Sequence, residues 1–216
     1  MKNRYGQLPK VVDYIEAFPK EMMFYQDMLI KPLGVTECKI EHRLMVFHEI
    51  IASAIDNFIE TYGLIEYRKN HVYVSAKHLF QKKDCSFNRM GWHCDGFMTN
   101  DVTYIWSNKF PTLFNFTEFK LTQNDKLSLI EMNEQANEKN NMAYDNFTLV
   151  RINQYNVHRV ADVTEDGMRA FVKVSFSKDK FDLIGNAVNY EIDYHWNFKP
   201  RNAERNIPQS IITNVG

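Results

Sequence analysis

Two side chains two residues apart, His93 and Asp95 in the stretch GWHCDGFMTND (91–101), are of types that could hold a metal ion. In an extended strand, residues i and i+2 point to one side. An imidazole nitrogen and a carboxylate oxygen would then project together, while Cys94 turns the other way into packing. Two ligands hold a metal weakly, so a third must come from elsewhere in the chain. Of the seven histidines, His42 and His48 read as ordinary residues of an amphipathic helix. His71 and His78 share a different strand, and His195 sits with Glu191 and Asp193 on a solvated face. His158, in QYNVHRVADV at the end of an alternating strand, is the best third candidate. Two histidines and one carboxylate make the facial triad that binds non-haem Fe(II) and leaves positions open.

Open positions let a metal accept a co-substrate and dioxygen. If the co-substrate is 2-oxoglutarate, its distal carboxylate needs a buried cation. Arginine suits that task, because its planar fork binds a carboxylate through two bonds and stays charged when desolvated. Arg169 lies eleven residues after His158, beyond the turn ADVTEDG and at the start of the strand MRAFVKVSFS. Lys173 shares its strand face about 13 Å farther on and is the alternative anion anchor; Ser175 follows on the same face. In the strand DVTYIWSN, Tyr104 and Trp106 share a face. Tyr104 is a candidate wall of the co-substrate pocket and Trp106 a core residue. Arg159 is expected to point away from the metal in a structural role.

In this order and spacing, His93-x-Asp95, His158 and Arg169 resemble the Fe(II)/2-oxoglutarate-dependent dioxygenases over residues 71–180. The resemblance implies a mainly β fold with α-helices: a cupin-like jelly roll, or double-stranded β-helix, with N-terminal helices packed on its outer sheet. It implies iron on His93, Asp95 and His158, with the C5 carboxylate of 2-oxoglutarate on Arg169 and dioxygen as second co-substrate. The implied reaction is hydroxylation of an unactivated C–H bond with release of succinate and carbon dioxide. Related halogenases lack the carboxylate ligand, so the presence of Asp95 points to hydroxylation or desaturation. A cupin-type isomerase or metal-binding protein without 2-oxoglutarate is the alternative, and it would have no need of Arg169.

The elements that must position these residues divide by texture. The first third, 1–70, reads as a helical layer: PKVVDYIEAF carries apolar residues at helical spacing, and EHRLMVFHEIIASAIDNFIETYG carries a longer stripe ended by Gly63. Residues 71–198 read as the β core, with HVYVSAKHLF, DVTYIWSN, FTLVRINQYNVHRV, RAFVKVSFS and NYEIDYHWNF as strands. A polar insert at 124–146 reads as one short helix and a loop, and 199–216 as a tail. The whole reads as a single domain.

Composition narrows the class. The chain has 216 residues, 44% of them hydrophobic and 14% aromatic, enough for a core without staples. The 26 basic and 27 acidic residues argue against binding driven by nonspecific phosphate contacts. Three cysteines (Cys38, Cys85, Cys94) lack CxxC spacing, which fits a reducing compartment. No signal-like or membrane-spanning run is present, so a cytoplasmic protein is expected, with no membrane and no obligate protein partner. The expected substrate is a small polar or anionic molecule, with a nucleotide, nucleic-acid base or peptide side chain as the alternative. Lys82, Lys83 and Arg89 before the His-Asp pair, and Lys199, Arg201 and Arg205 near the C-terminus, form a mildly basic rim.

Overall fold

A computed structural model of the protein describes residues 4–85 and 91–201. The chain is mainly β. Strands β1 (Lys10–Tyr14) and β2 (Met23–Lys31) come first, followed by a short 3-10 turn at His42–Phe47 and by helices α1 (His48–Tyr62) and α2 (Leu64–Arg68). Then come β3 (His71–Gln81), β4 (Val102–Ser107), β5 (Leu113–Asn115), α3 (Asp125–Gln135), β6 (Asn141–Ala143), β7 (Thr148–Ile152), β8 (His158–Arg159) and β9 (Gly167–Ser177).

Six strands form one antiparallel sheet in the order β1-β7-β4-β9-β3-β2, and three form a smaller sheet in the order β6-β5-β8. The segment around His93 extends the small sheet by an antiparallel bridge to His158. From β3 onward the chain alternates: large sheet, His93 segment, large sheet (β4), small sheet (β5, β6), large sheet (β7), small sheet (β8), large sheet (β9).

Alternation along β9 explains how one strand serves a core and a cavity. Ala170, Val172, Val174 and Phe176 are fully buried against the helical layer, beside Phe47, Ile50, Ile51 and Phe58. Phe58 of α1 stacks on Phe176 at 4.1 Å between ring centres. Arg169, Phe171 and Lys173 face the other way and line a cavity between the two sheets. The helix at 48–62 with its stop at Gly63 agrees with the apolar stripe, and Gly63 takes φ +88° there.

Three expectations are corrected. PKVVDYIEAF is not a helix: β1 pairs with β7 at the edge of the large sheet. A register shift between Val11 and Asp13 breaks the two-residue alternation, so the apolar spacing imitates a helix. With β2 also extended, the segment 1–70 opens with two strands of the large sheet and only its later part is helical. NYEIDYHWNF is not a strand of either sheet. Its alternating burial is real, because Trp196 packs on His71 and Tyr73, but no ladder partner flanks it among the described residues. Tyr104 is not a cavity wall. It points into the helical layer with Trp106, its hydroxyl donating to Asn57 Oδ1 at 3.0 Å, while its neighbour Ile105 faces the cavity. No helix among the described residues is long and apolar enough to cross a membrane.

His71 opens β3 with both ring nitrogens buried and without a hydrogen-bond partner among the described residues. Burial, with Lys31 and Lys180 adding repulsion, pushes its pKa down to about 4. The unfolded chain therefore takes up a proton near 6.5 that the folded chain refuses. The stability this neutral ring contributes is intact above pH 6.5 and is lost as pH falls towards 4. Denaturant unfolding between pH 7 and pH 4 should show this loss, and His71→Phe should flatten it. An equally steep curve in the variant would assign the acid sensitivity elsewhere.

Candidate metal centre

His93, Asp95 and His158 converge. One ligand-type atom from each lies within 4.8 Å of the others, and the two imidazoles stand with ring centres 4.6 Å apart. Both side chains are placed by backbone pairing. His93 N–H donates to the His158 carbonyl and His158 N–H to the His93 carbonyl, each at 2.9 Å. Such a reciprocal pair on adjacent antiparallel strands sends both side chains to one face. Asp95 follows two residues later, at the start of a turn through 95–98. Gly96 makes that turn at φ +63°, where a Cβ would come within 2.6 Å of Thr99 Oγ1.

The rings are also set in rotation. Nδ1 of His93 lies 3.0 Å from the Gly91 carbonyl, and Nδ1 of His158 lies 2.9 Å from the Asn156 carbonyl. A carbonyl only accepts, so each Nδ1 donates, and in the neutral ring that tautomer leaves the lone pair on Nε2, the atom a metal would take. Two imidazoles and a carboxylate in this geometry could hold a divalent transition metal such as Fe(II), with His93, Asp95 and His158 as the candidate ligands.

Support comes from α3, which the sequence places in the polar insert. Asn133 grips the backbone of Trp92 from both sides, its Oδ1 accepting from Trp92 N–H at 2.9 Å and its Nδ2 donating to the Trp92 carbonyl at 3.2 Å. Asn133 thus pairs like a strand residue and braces the segment between Gly91, which orients the His93 ring, and His93 itself. Cys94 points away from the ligands, as expected, with Sγ 3.7 Å from Met132 Sδ, and burial pushes its thiol pKa upward. On the other ligand loop, Gln154 receives Met98 N–H on Oε1 and donates through Nε2 to the Thr99 carbonyl. It ties the turn after Asp95 to the turn before His158. Sequence reasoning missed Asn133 and Gln154, because amide side chains in polar stretches carry no spacing signal.

The triad opens onto a cavity of about 190 Å³ whose opposite wall is the large sheet. Arg169 lies on that wall, 5% exposed, its Nε donating to the Lys109 and Phe110 carbonyls at 3.0 Å each and its guanidinium over the Phe171 ring. Burial lowers its pKa to about 10, so it remains cationic at neutral pH. No carboxylate among the described residues forms a salt bridge with it. Lys173 also lines the cavity but leans away from Arg169, across β3, to Asp27 on β2 at 3.3 Å. Arg159 also lines the cavity, against the expectation that it points away, and is held by two bonds to Asp162 and packed over Trp92. Of the basic rim, Lys82 and Lys83 are exposed and Lys199 pairs with Asp182, while Arg89 and Arg205 lie outside the described residues.

No family model and no curated protein sequence matches the chain. Among solved structures it is similar to EvdO2 from Micromonospora carbonacea var. aurantiaca complexed with 2-oxoglutarate, at 13% identity and a TM-score of 0.38, over 64% of this chain and 66% of that one. A second EvdO2 structure gives 14% identity and a TM-score of 0.36 over 63% of this chain and 60% of that one. A protein from Shewanella oneidensis assigned as an oxygenase gives 11% and 0.32 over 74% and 68%. The chain thus spans just under two thirds of EvdO2, and likenesses of this size are too slight to bear on its function.

If Asn133 braces the His93 segment, Asn133→Leu should weaken Co(II) binding, followed by its visible d–d bands, by about 10- to 100-fold. Unchanged affinity would show that the segment holds His93 without the amide.

Proposed function

We propose that this chain is an Fe(II)- and 2-oxoglutarate-dependent dioxygenase on a double-stranded β-helix, hydroxylating a C–H bond of a small molecule. Two opposed antiparallel sheets that the chain visits in alternation, with ligands at the small-sheet edge facing the large sheet, support that fold. The observation that carries the function is Arg169. Burying a cation without a counter-ion is costly, and here the cation shares one small cavity with a His-Asp-His cluster. A dicarboxylate reaching from the triad to Arg169 would neutralise it. An isomerase without such a co-substrate has no use for it.

When bound, iron and 2-oxoglutarate supply the oxidising chemistry, with dioxygen consumed and succinate and carbon dioxide released. The protein's own residues position and enclose. The Nδ1 bonds of His93 and His158 to backbone carbonyls select the tautomer that presents the Nε2 lone pair, and Asp95 contributes the negative charge of the ligand set. Arg169 is held rigidly through Nε, leaving the outer nitrogens of its fork to set the register of the distal carboxylate. Ile105 and Phe171 line the space between with apolar surface, which excludes water and strengthens the charge pairing.

The test is succinate release from 2-oxoglutarate with Fe(II) and ascorbate, including the slow turnover without substrate. Wild type should release succinate, and Arg169→Met should raise the apparent KM for 2-oxoglutarate at least tenfold, in line with loss of a charged, doubly bonded contact. Equal KM values would leave an iron protein that does not use this co-substrate as the better reading.

A further inference from the structure

Resting on that function, we infer that the patch formed by Gln26, Ser75, Lys77 and Lys173 is the primary-substrate subsite, and that it takes a small molecule bearing a carboxylate or phosphate. Arg169 and Lys173 share one face of β9 about 13 Å apart, and they are tied in opposite directions. Arg169 is held toward the loop after β4, and Lys173 is drawn across β3 to Asp27 on β2. One distal carboxylate cannot sit on both. With Arg169 assigned to 2-oxoglutarate, the Lys173 end of the cavity is left for a second ligand.

That end is built with care. Asp27 is 4% exposed and adopts φ +45°, a strained conformation for a residue with a side chain, at a register shift in β2. It accepts from Gln26 Nε2 at 2.8 Å and from Ser75 Oγ at 2.9 Å, and it pairs with Lys173. Strain and burial together cluster at functional sites more than in ordinary sheet. Register places Ser75 directly opposite Lys173 on β9, and Lys77 two residues along β3 on the same face. A lysine ammonium has three donors, and the Asp27 pair occupies one of those on Lys173.

Charge points the same way. The cavity is lined by four cationic side chains, Lys77, Arg159, Arg169 and Lys173, against the single carboxylate Asp95. Asp162 pairs with Arg159 and Asp27 with Lys173. A cavity lined mainly by cationic side chains favours a ligand that carries an anionic group.

Two readouts test the inference. Ligand-observed NMR on the Zn(II)-loaded, 2-oxoglutarate-bound protein would compare amino acids with their amides, and sugar phosphates with the free sugars. The same pairs would be scored for stimulation of succinate release by the iron enzyme. The anionic member of at least one pair should bind at least tenfold tighter than its neutral partner. The carboxylate and phosphate arms identify which anion is used. Lys77→Met should erase that preference while 2-oxoglutarate affinity shifts less than threefold. Because Lys173→Met alone strands Asp27, the double variant Asp27→Asn/Lys173→Met serves as the second probe and should weaken the anion likewise. Neutral and anionic members binding alike, or no anion binding, or an unchanged preference in both variants, would overturn the subsite. Loss of 2-oxoglutarate binding in the wild type would instead overturn the dioxygenase reading.

Discussion

The reciprocal backbone pair between His93 and His158 is the contact on which the site depends. It joins a segment with no long ladder of its own to the two-residue strand β8, through two hydrogen bonds of 2.9 Å. Each such bond is worth only about 1 kcal/mol net, so the pair cannot hold the ligands alone. It is held from behind by the grip of Asn133 on Trp92, by Cys94 packed against Met132, and by Gln154 between the two ligand turns. The ligand geometry therefore belongs to α3 and the loops as much as to the sheets.

The large sheet solves a second problem by giving its two faces different solvents. One face packs Val72, Val74, Trp106, Val172 and Phe176 against α1 in the main apolar core. The other carries Ser75, Lys77, Arg169 and Lys173 around a small cavity. A fold made only for stability would replace the buried Asp27–Lys173 pair and the buried guanidinium with apolar residues, because buried charges seldom repay their desolvation. Their presence on the face that looks at the triad is what the proposed binding of charged ligands there would explain.

The triad was legible in sequence because its signal is a local one: His-x-Asp has strand periodicity, and His158 stands at the end of an alternating run. The common face of Arg169 and Lys173 follows from the same two-residue period along β9. Tyr104 is not legible in this way, because periodicity says which residues share a face but not which face looks at the His-Asp-His cluster; Ile105 holds the cavity side. The β1 segment imitates a helix because the shift near Val11 and Asp13 puts its apolar residues at helical spacing. Asp27 was invisible for the opposite reason. A lone acid inside MFYQDMLIK gives no sequence sign of the buried network that it organises.

The most direct measurement is an anaerobic titration of the protein with Fe(II) and then 2-oxoglutarate, read in the visible spectrum. A chelated keto acid on a facial-triad iron gives a weak metal-to-ligand charge-transfer band. The band should grow to one equivalent in the wild type, disappear in His158→Ala, and require far more 2-oxoglutarate in Arg169→Met. No band in the wild type, or an undiminished band in His158→Ala, would contradict the assignment of this cavity to iron and 2-oxoglutarate.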